Sequence, residues 1–272
     1  MPDFASSQTN VVARQYDLFQ QSLETIAKER AFLNYGFTTD AREPIEARQE
    51  RLCLEVFTAA DVRPDHVVVD VGFGSGVQDV LFADRFEFAR LIGFNISPRQ
   101  VQAATDRAAR AGLADRLLFR LGEAEALPGL EPQSVDRIVA VECAFYFDRP
   151  RFYRRAADVL KPGGLLVAAD IQLSDRLAWL TRREDLRRVG TVSANRAEWE
   201  RHFRTRSIRH INRETRPGAQ MSVRHILATL ARVSFGAAER REWLKMAYYS
   251  QLVAAGLLTE LVSYDLIVLE KP

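Results

Sequence analysis

The sequence predicts an α/β fold in which a mostly parallel sheet carries helices on both faces. Two observations lead to this prediction. From Val67 onward, short apolar runs alternate with amphipathic helical segments, which is typical of buried parallel strands joined by right-handed crossovers. The first of these runs ends in a glycine-rich turn and is followed directly by a helical segment, an arrangement with which open α/β sheets form ligand sites.

The strands of the predicted sheet are short apolar runs. Five of them precede an arginine-rich, more helical stretch, and two further candidates lie later in the chain. The predicted strands are VVVDVG (67–72), ARLIGFNI (89–96), RLLFRLG (116–122), VDRIVAVE (135–142), GLLVAADI (164–171), RSIRHINRE (206–214) and VSYDLIVLE (262–270). Residues 10–60 are predicted to be helical because apolar residues recur there every three or four positions, with the loop FLNYGFTTD as an interruption.

Composition and length place the chain among globular proteins with a substantial core. Of its 272 residues, 47% are hydrophobic and 27% are charged. No apolar stretch reaches the ~20 residues that a membrane helix needs, so no membrane contact is predicted. The amino terminus does not resemble a secretory signal, and we expect a cytoplasmic protein in which Cys53 and Cys143 are reduced.

Positive charge is concentrated in one part of the chain, although the net charge is only +2. Residues 174–241 contain 16 Arg, no Lys and 7 acidic residues, a surplus of nine positive charges. This asymmetry indicates either a segment that meets an anion or a solvated helical face, and both interpretations stay open. A nucleic-acid partner is not favoured, because the segment carries no nucleic-acid-binding motif.

The glycine-rich turn carries the strongest functional signal. It has the form Asp70-Val-Gly72-Phe-Gly74-Ser-Gly76, and glycines at this spacing allow the backbone to turn sharply and approach a ligand closely. The dinucleotide-binding pattern requires a glycine at position 77, where this chain has Val77. The turn therefore favours a different cofactor over a dinucleotide.

Three segments resemble the class I S-adenosylmethionine (SAM)-dependent methyltransferases: DVGFGSG, GFNISPRQ and LKPGGLLVAADI. The blocks VECAFYFDRPRFYRRAADVLKPGG and GFNISPRQVQAA are similar to those of natural-product and sugar methyltransferases, the group that contains erythromycin 3″-O-methyltransferase. The resemblance implies a Rossmann-like sheet of seven mostly parallel strands, the last antiparallel. It also implies an N-terminal helical cap (1–60), a SAM-binding core (61–173), an arginine-rich acceptor-binding insertion with one core strand (174–250) and a final strand region (251–272).

The resemblance also assigns residues to a SAM site. The glycines of the turn would border the methionine part of SAM, Asp70 would support the turn and Asn95 would hold the ribose hydroxyls. Glu123 and Ala124 match the adenine-binding segment, and two tyrosines belong to the cap that closes over the cofactor. The complete predicted cofactor set is Tyr16, Tyr35, Asp70, Gly72, Gly74, Gly76, Gln78, Asn95, Gln100, Glu123 and Ala124. No spacing of His, Cys and acidic residues predicts a metal site.

Two residues are predicted to take part in the chemistry. Glu142 ends the fourth strand, beneath the expected methyl-transfer centre, and Tyr146 follows it. In the similar macrolide-sugar enzymes a histidine typically stands at the position of Tyr146, and a tyrosine, with its ordinary pKa of ~10, is a poor base. The residue that removes a proton from the acceptor therefore stays open.

Three functions are compatible with these residues. Methyl transfer to oxygen of a small natural-product-type molecule is favoured. Methyl transfer to an alkene carbon would form a carbocation, which Phe145, Tyr146, Phe147 and Tyr153 could stabilise, with the arginine-rich segment holding a prenyl diphosphate. The third is a non-catalytic SAM-binding interaction subunit. The acceptor and the oligomeric state are not determined by the sequence, and a homodimer stays open.

Overall fold

A computed structural model describes residues 12–14, 17, 32–38, 40 and 42–272 of the chain. Within these residues, seven strands form one sheet. The strands are β1 (Val67–Val71), β2 (Arg90–Asn95), β3 (Leu117–Leu121), β4 (Val135–Val141), β5 (Leu160–Leu173), β6 (Arg204–His210) and β7 (Val262–Glu270).

The strand order across the sheet is β3-β2-β1-β4-β5-β7-β6. The first five strands of this order run parallel to one another. Strand β7 runs antiparallel to both of its neighbours, β5 and β6. The sequence-based prediction of a seven-stranded, mostly parallel sheet with an antiparallel last strand is confirmed. The order reverses between β1 and β4, which is the point where open α/β sheets form their ligand crevice.

Helices cover both faces of this sheet. In the described part of the chain they are α1 (Ile45–Ala59), α2 (Val77–Arg85), α3 (Pro98–Arg110), α4 (Arg149–Val159), α5 (Glu184–Arg187), α6 (Val192–Trp199), α7 (Asn212–Arg232) and α8 (Ala237–Leu258). Two 3-10 segments, Ala144–Tyr146 and Asp175–Arg182, follow β4 and β5. Helices α7 and α8 form an antiparallel pair between β6 and β7, so the helical insertion runs to Leu258.

Local sequence explains where two of the helices nearest the crevice begin. Ser97 precedes α3 and its hydroxyl accepts a hydrogen bond from Gln100 N, with Pro98 in the first helical position. Asp148 caps α4 in the same way by accepting from Arg151 N. Such caps satisfy backbone donors that a helix terminus leaves unpaired.

The alternation of side chains along the buried strands divides the core into two layers. On β1, Val68 faces the layer beneath α1 and α2, while Val69 faces the layer beneath α4 and α6. In the first layer Phe57 and Phe82 stack with ring centroids 3.9 Å apart. Because β1 and β4 are buried from both sides, their carboxyl ends have fixed positions from which a site can be built.

The predicted strand 206–214 is wrong at both ends, since β6 spans Arg204–His210. The ladder changes at this point: Ile211 N still donates to Tyr264 O at 2.8 Å, but Tyr264 N donates to Asn212 Oδ1 at 2.6 Å instead of to a backbone carbonyl. α7 then begins at Asn212. The expected helix before residue 60 is confirmed for α1, and the residues 32–38 form the expected interruption. Tyr16 and nearly half of the predicted cap 1–60 lie outside the described residues.

Candidate active site

A cavity opens at the carboxyl ends of β1, β2 and β4, where the strand order reverses. It holds about 950 Å³ of empty space, counting its open mouth. Its described lining consists of Val12, Phe32, Leu33, Asn34, Gly72, Phe73, Gly74, Ser75, Val77, Gln78, Phe94, Asn95, Ile96, Gln100, Gly122, Glu123, Ala124, Glu125, Val141, Glu142, Cys143, Tyr146, Phe147 and Arg188. The cavity therefore brings together most of the residues that the sequence assigns to a cofactor site.

The three glycines of the turn all have positive φ angles, but they serve different purposes. A Cβ on Gly72 would lie 2.7 Å from Cys143 Cβ, and a Cβ on Gly76 would lie 2.6 Å from Ala104 Cβ. These two positions need glycine because neighbouring elements pack against them. A Cβ on Gly74 would meet only Leu33 Cδ1, at 3.9 Å, so the backbone at Gly74 faces the open cavity. Gly74 leaves room that a ligand can fill.

Asp70 is buried beneath the turn and is bound by Gln78, whose Nε2 donates to Asp70 Oδ2 at 2.6 Å. Burial raises the pKa of Asp70 to about 7. Asp79, in the first turn of α2, is also fully buried. Its burial, together with the Asp70 carboxylate, raises the pKa of Asp79 well above its usual value. Sequence analysis missed Asp79, because an acidic residue in the first turn of a helix is ordinarily a solvent-exposed, stabilising feature.

Asn95 and Gln100 organise the end of β2. Asn95 Nδ2 donates to Gln100 Oε1 at 2.8 Å, and Asn95 Oδ1 accepts from Ser97 N at 3.0 Å. Gln100 Nε2 is buried and has no hydrogen-bond partner within the part of the chain that the structure describes. Since buried amides are almost always paired, this donor at the cavity wall indicates a position where a ligand acceptor belongs.

The segment after β3 forms the next part of the cavity wall. Gly122 N donates to Asn95 O at 2.9 Å, which holds Gly122–Glu125 beside the end of β2. Glu123 and Ala124 line the cavity as the sequence predicts. Glu125 Oε1 accepts from Asp148 N at 2.7 Å, which ties this wall to the start of α4.

Glu142 follows β4 in a left-handed backbone conformation, with a φ of +50°. Such a conformation is strained for a residue with a side chain, and it turns the carboxylate toward the cavity. Its Oε1 accepts two hydrogen bonds, from Tyr35 N at 2.6 Å and from the Tyr264 hydroxyl at 2.5 Å. Burial raises the pKa of Glu142 to about 8, although both hydrogen bonds oppose this shift.

Residues 32–35 form one wall of the cavity, which we call the roof segment. Tyr35 belongs to this segment but is not itself among the described lining residues. Its hydroxyl lies 3.2 Å from Ser250 Oγ on α8, and burial raises its pKa. Its carbonyl packs directly against Gly218 on α7, where an added Cβ would lie 1.5 Å from Tyr35 O. Its neighbours in this segment, Leu33 and Asn34, face the cavity.

The 3-10 segment after Glu142 carries the predicted aromatic residues. Tyr146 and Phe147 line the cavity, whereas Phe145 packs on the adjacent hydrophobic core. Tyr153 does not reach the cavity: it is buried on the other face of the sheet, against Trp199. The expectation that Tyr153 offers its ring to a reaction centre is therefore wrong, because α4 turns this residue toward the second core layer.

Most arginines of the segment 174–241 are turned away from the cavity. Arg196 pairs with Glu200 at 2.8 Å, Arg206 pairs with Glu270 at 3.0 Å, and Arg209 pairs with Glu55. Of the described arginines in this segment, only Arg188 lines the cavity. The segment is thus largely the solvated face that was one of the two interpretations of its charge.

Within residues 42–272 and the described part before them, no three His, Cys, Asp or Glu side chains are grouped closely enough to hold a metal ion. None of the described helices is both long and apolar enough to cross a bilayer.

The sequence and the fold are similar to those of known proteins. Residues 69–168 match a family model described as a methyltransferase domain. The chain is 34% identical over 157 residues to erythromycin 3″-O-methyltransferase of Saccharopolyspora erythraea, which covers 57% of this chain and 51% of that protein. The chain thus spans about half the length of that relative. It is 29% identical over 218 residues to 27-O-demethylrifamycin SV methyltransferase of Amycolatopsis mediterranei, covering 76% and 79% of the two chains.

Among solved structures, the cyclase SpnF has a TM-score of 0.79 with 22% sequence identity, over 96% of this chain and 95% of that one. At this identity the likeness concerns the fold alone. The matching domain includes the glycine turn, Asn95 and Glu142. Residues 69–168 match the methyltransferase domain, and the chain is similar to class I SAM-dependent methyltransferases of natural-product pathways.

Proposed function

We propose that the chain binds SAM in the cavity and transfers its methyl group to an oxygen atom of a small, natural-product-type acceptor. The observation that carries this proposal is that one continuous cavity contains both the glycine turn and the aromatic segment Tyr146–Phe147. The names of the erythromycin and rifamycin relatives both describe methylation at oxygen, which supports the choice of acceptor atom.

The residues of the cavity fit SAM. Gly74 offers open backbone, and Gln100 Nε2 is a buried donor without a partner among the described residues, at the position assigned to the ribose. Glu123 and Ala124 form the wall assigned to adenine. When bound there, SAM supplies a methyl group already activated by the positive sulfonium, so the protein mainly has to position the acceptor.

Glu142 acts in this proposal as a positioning residue, and Tyr146 as a contact of the acceptor. Glu142 Oε1 accepts one hydrogen bond from Tyr35 N in the roof segment and another from the Tyr264 hydroxyl on β7. Because Oε1 already accepts two hydrogen bonds, this oxygen is occupied when the roof is in place. Tyr146 lies one 3-10 turn further along and offers its ring to the cavity.

The division of the chain follows from these assignments. Residues 61–173 are proposed to bind SAM, residues 1–60 to cover it, and residues 174–250 to cover the acceptor. The final region, 251–272, contributes Tyr264, whose hydroxyl donates a hydrogen bond to Glu142 Oε1. A cytoplasmic location and a homodimer stay predictions, and sedimentation velocity of the purified protein tests the second.

Methyl transfer to an alkene carbon is a second candidate because two aromatic residues, Tyr146 and Phe147, line the cavity. Aromatic faces stabilise carbocations by about 0.5–2 kcal/mol each. The phosphate clamp that a prenyl diphosphate requires has weaker support, since Arg188 is the one described arginine of the segment at the cavity.

Mass spectrometry of the purified protein with SAM and two acceptor pools tests the proposal. One pool contains phenolic and deoxysugar-bearing natural products, and the other contains prenyl diphosphates. A mass gain of one methylene in the first pool supports transfer to oxygen, and a gain only in the second supports the carbon acceptor. SAM binding without transfer to either pool favours the non-catalytic interaction subunit.

A further inference from the structure

Arg188 is the one cationic side chain among the described residues that line the cavity. It is partly buried, and its Nη1 donates to Tyr146 O at 2.6 Å. This hydrogen bond uses one of the five N–H groups of the guanidinium. The remaining donors and the full positive charge stand beside the aromatic part of the cavity, where the acceptor is proposed to bind.

The backbone that carries Arg188 is held by a buried ion pair. Arg149 Nη1 lies 2.6 Å from Asp170 Oδ2, and both side chains are almost fully buried. The same guanidinium donates to Arg188 O at 2.9 Å and to Val189 O at 3.2 Å. Arg149 thus fixes the connection between α5 and α6 and, through it, the backbone of Arg188.

Glu125 also lines the cavity, and the charge of Arg188 acts on its carboxyl group. Burial raises the pKa of Glu125, and both its hydrogen bond from Asp148 N and the charge of Arg188 oppose that shift. Glu125 Oε1 accepts from Asp148 N, and among the described side chains no carboxylate forms an ion pair with Arg188.

The described cavity wall offers no histidine that could remove a proton from an acceptor. Glu142 accepts two hydrogen bonds at Oε1, and burial raises its pKa to about 8, so this carboxyl group is largely protonated at neutral pH. Cys143 Sγ donates to Val71 O at 2.9 Å. Tyr146 stands where similar enzymes carry a histidine, and neutral tyrosine is a poor base. An acceptor that loses its proton before transfer does not need a base at this position.

We propose that the acceptor binds as an oxyanion paired with Arg188, and therefore that it is a phenol or an enol and not an aliphatic sugar alcohol. This inference rests on the proposed function. Its proton passes to solvent as the acceptor binds, because a nearby cation lowers the pKa of an acidic hydroxyl by about 1–3 units. The oxygen then takes the methyl group with no proton left to remove. An aliphatic hydroxyl is far too weakly acidic for one guanidinium to ionise it.

Titration of bound 4-nitrophenol tests this inference without depending on turnover. The protein is first loaded with S-adenosylhomocysteine, and binding of that compound is measured separately by calorimetry. The absorption band of the phenolate then reports the ionisation of the bound probe as pH is varied. We expect the pKa of bound 4-nitrophenol to fall by about one unit or more relative to free probe.

Arg188→Gln removes the cation and is expected to abolish this pKa shift and to weaken binding of the phenolate by roughly tenfold. Arg187→Gln is the matched control, because Arg187 is exposed and does not line the cavity. Binding of 4-nitrobenzyl alcohol, whose hydroxyl stays neutral, should be equal in both variants.

Two results would overturn the inference. One is a lowered pKa of bound 4-nitrophenol that persists in Arg188→Gln. The other is a protein that binds S-adenosylhomocysteine but neither binds nor ionises 4-nitrophenol. A protein that fails to bind S-adenosylhomocysteine contradicts the proposed function itself, and calorimetry identifies this case before the probe is added.

Discussion

The carboxylate of Glu142, at the end of β4, accepts a hydrogen bond from the hydroxyl of Tyr264 on β7, across the intervening strand β5. The oxygen–oxygen distance is 2.5 Å, and the same carboxylate oxygen also accepts from Tyr35 N. This one atom therefore joins the centre of the sheet, its antiparallel strand and the roof of the cavity.

Removing the Tyr264 hydroxyl should destabilise the protein. Tyr264→Phe leaves the ring in place but takes one donor from a buried carboxyl group, which we expect to lower the free energy of unfolding by about 1–3 kcal/mol. Urea denaturation measures this change. Tyr249→Phe is the control, since Tyr249 is 49% exposed and its hydroxyl should matter little. Equal losses in the two variants would contradict a special role for the Tyr264 hydroxyl.

The free energy of unfolding should fall as pH rises through the neutral range. Burial raises the pKa of Glu142 to about 8 and that of Asp70 to about 7, whereas unfolded carboxyl groups titrate near pH ~4. The folded state then binds more protons than the unfolded state, so this stabilisation is present at low pH and is lost as pH rises through 7 to 8.

Glu142→Gln isolates the part of this pH dependence that comes from Glu142. The amide stays neutral at every pH and its oxygen can still accept from Tyr264, so the variant should resemble wild type near pH ~5 and exceed its stability near pH ~9. Urea denaturation at the two pH values makes the comparison. If the free energy of unfolding changed by the same amount between the two pH values in variant and wild type, Glu142 would not titrate with a raised pKa.

A side chain at Gly74 should prevent SAM binding. Gly74→Val fills the space beside the turn, and we expect at least a tenfold loss of SAM affinity by calorimetry. Gly112→Val is a control for backbone strain, since Gly112 has a φ of +69°, close to the +61° of Gly74, and an added Cβ there meets nothing within 4 Å. Similar affinities in the two variants would place the cofactor elsewhere.

Asn95→Asp should strengthen SAM binding by severalfold. The new carboxylate can accept from both ribose hydroxyls, and Gln100 can reverse its amide so that Nε2 donates to it. Calorimetric titration with SAM tests this expectation, with S-adenosylhomocysteine as a second ligand that shares the ribose. A weaker affinity for both ligands would indicate that the Asn95–Gln100 hydrogen bond matters more than the ribose contact.

Arg149→Met should be strongly destabilising because it leaves Asp170 buried without its partner. Loss of one member of a buried ion pair costs about 3–5 kcal/mol, which urea denaturation would register. Adding Asp170→Asn to the same variant should restore part of this loss. No recovery in the double variant would mean that Arg149 acts through the carbonyls of the 188–189 loop and not through the ion pair.

The strands nearest the cavity could be predicted from the sequence because they are short, apolar and buried on both faces. β6 could not be bounded correctly, since the ladder changes at a side-chain contact between Asn212 and Tyr264, 52 residues apart. Local patterns carry no information about such a contact.

The glycine turn and most of the cavity wall were predictable for a similar reason, because their spacing is local. Tyr264 reaches the site through the path of β7, and Arg188 reaches it through the connection between α5 and α6, so no local motif marks either residue. Asp79 resembles an ordinary residue of a first helical turn, and only the packing of α2 shows that it is buried.

The roof segment is held by residues that are synthesised long after it. Tyr35 rests on Gly218, and its backbone is bound by a carboxylate that Tyr264 also contacts. A nascent chain can therefore form the glycine turn and the strand beside it while the cover of the cavity still lacks its supports. The cofactor cavity is completed late, only after the residues around position 264 have left the ribosome and joined the sheet.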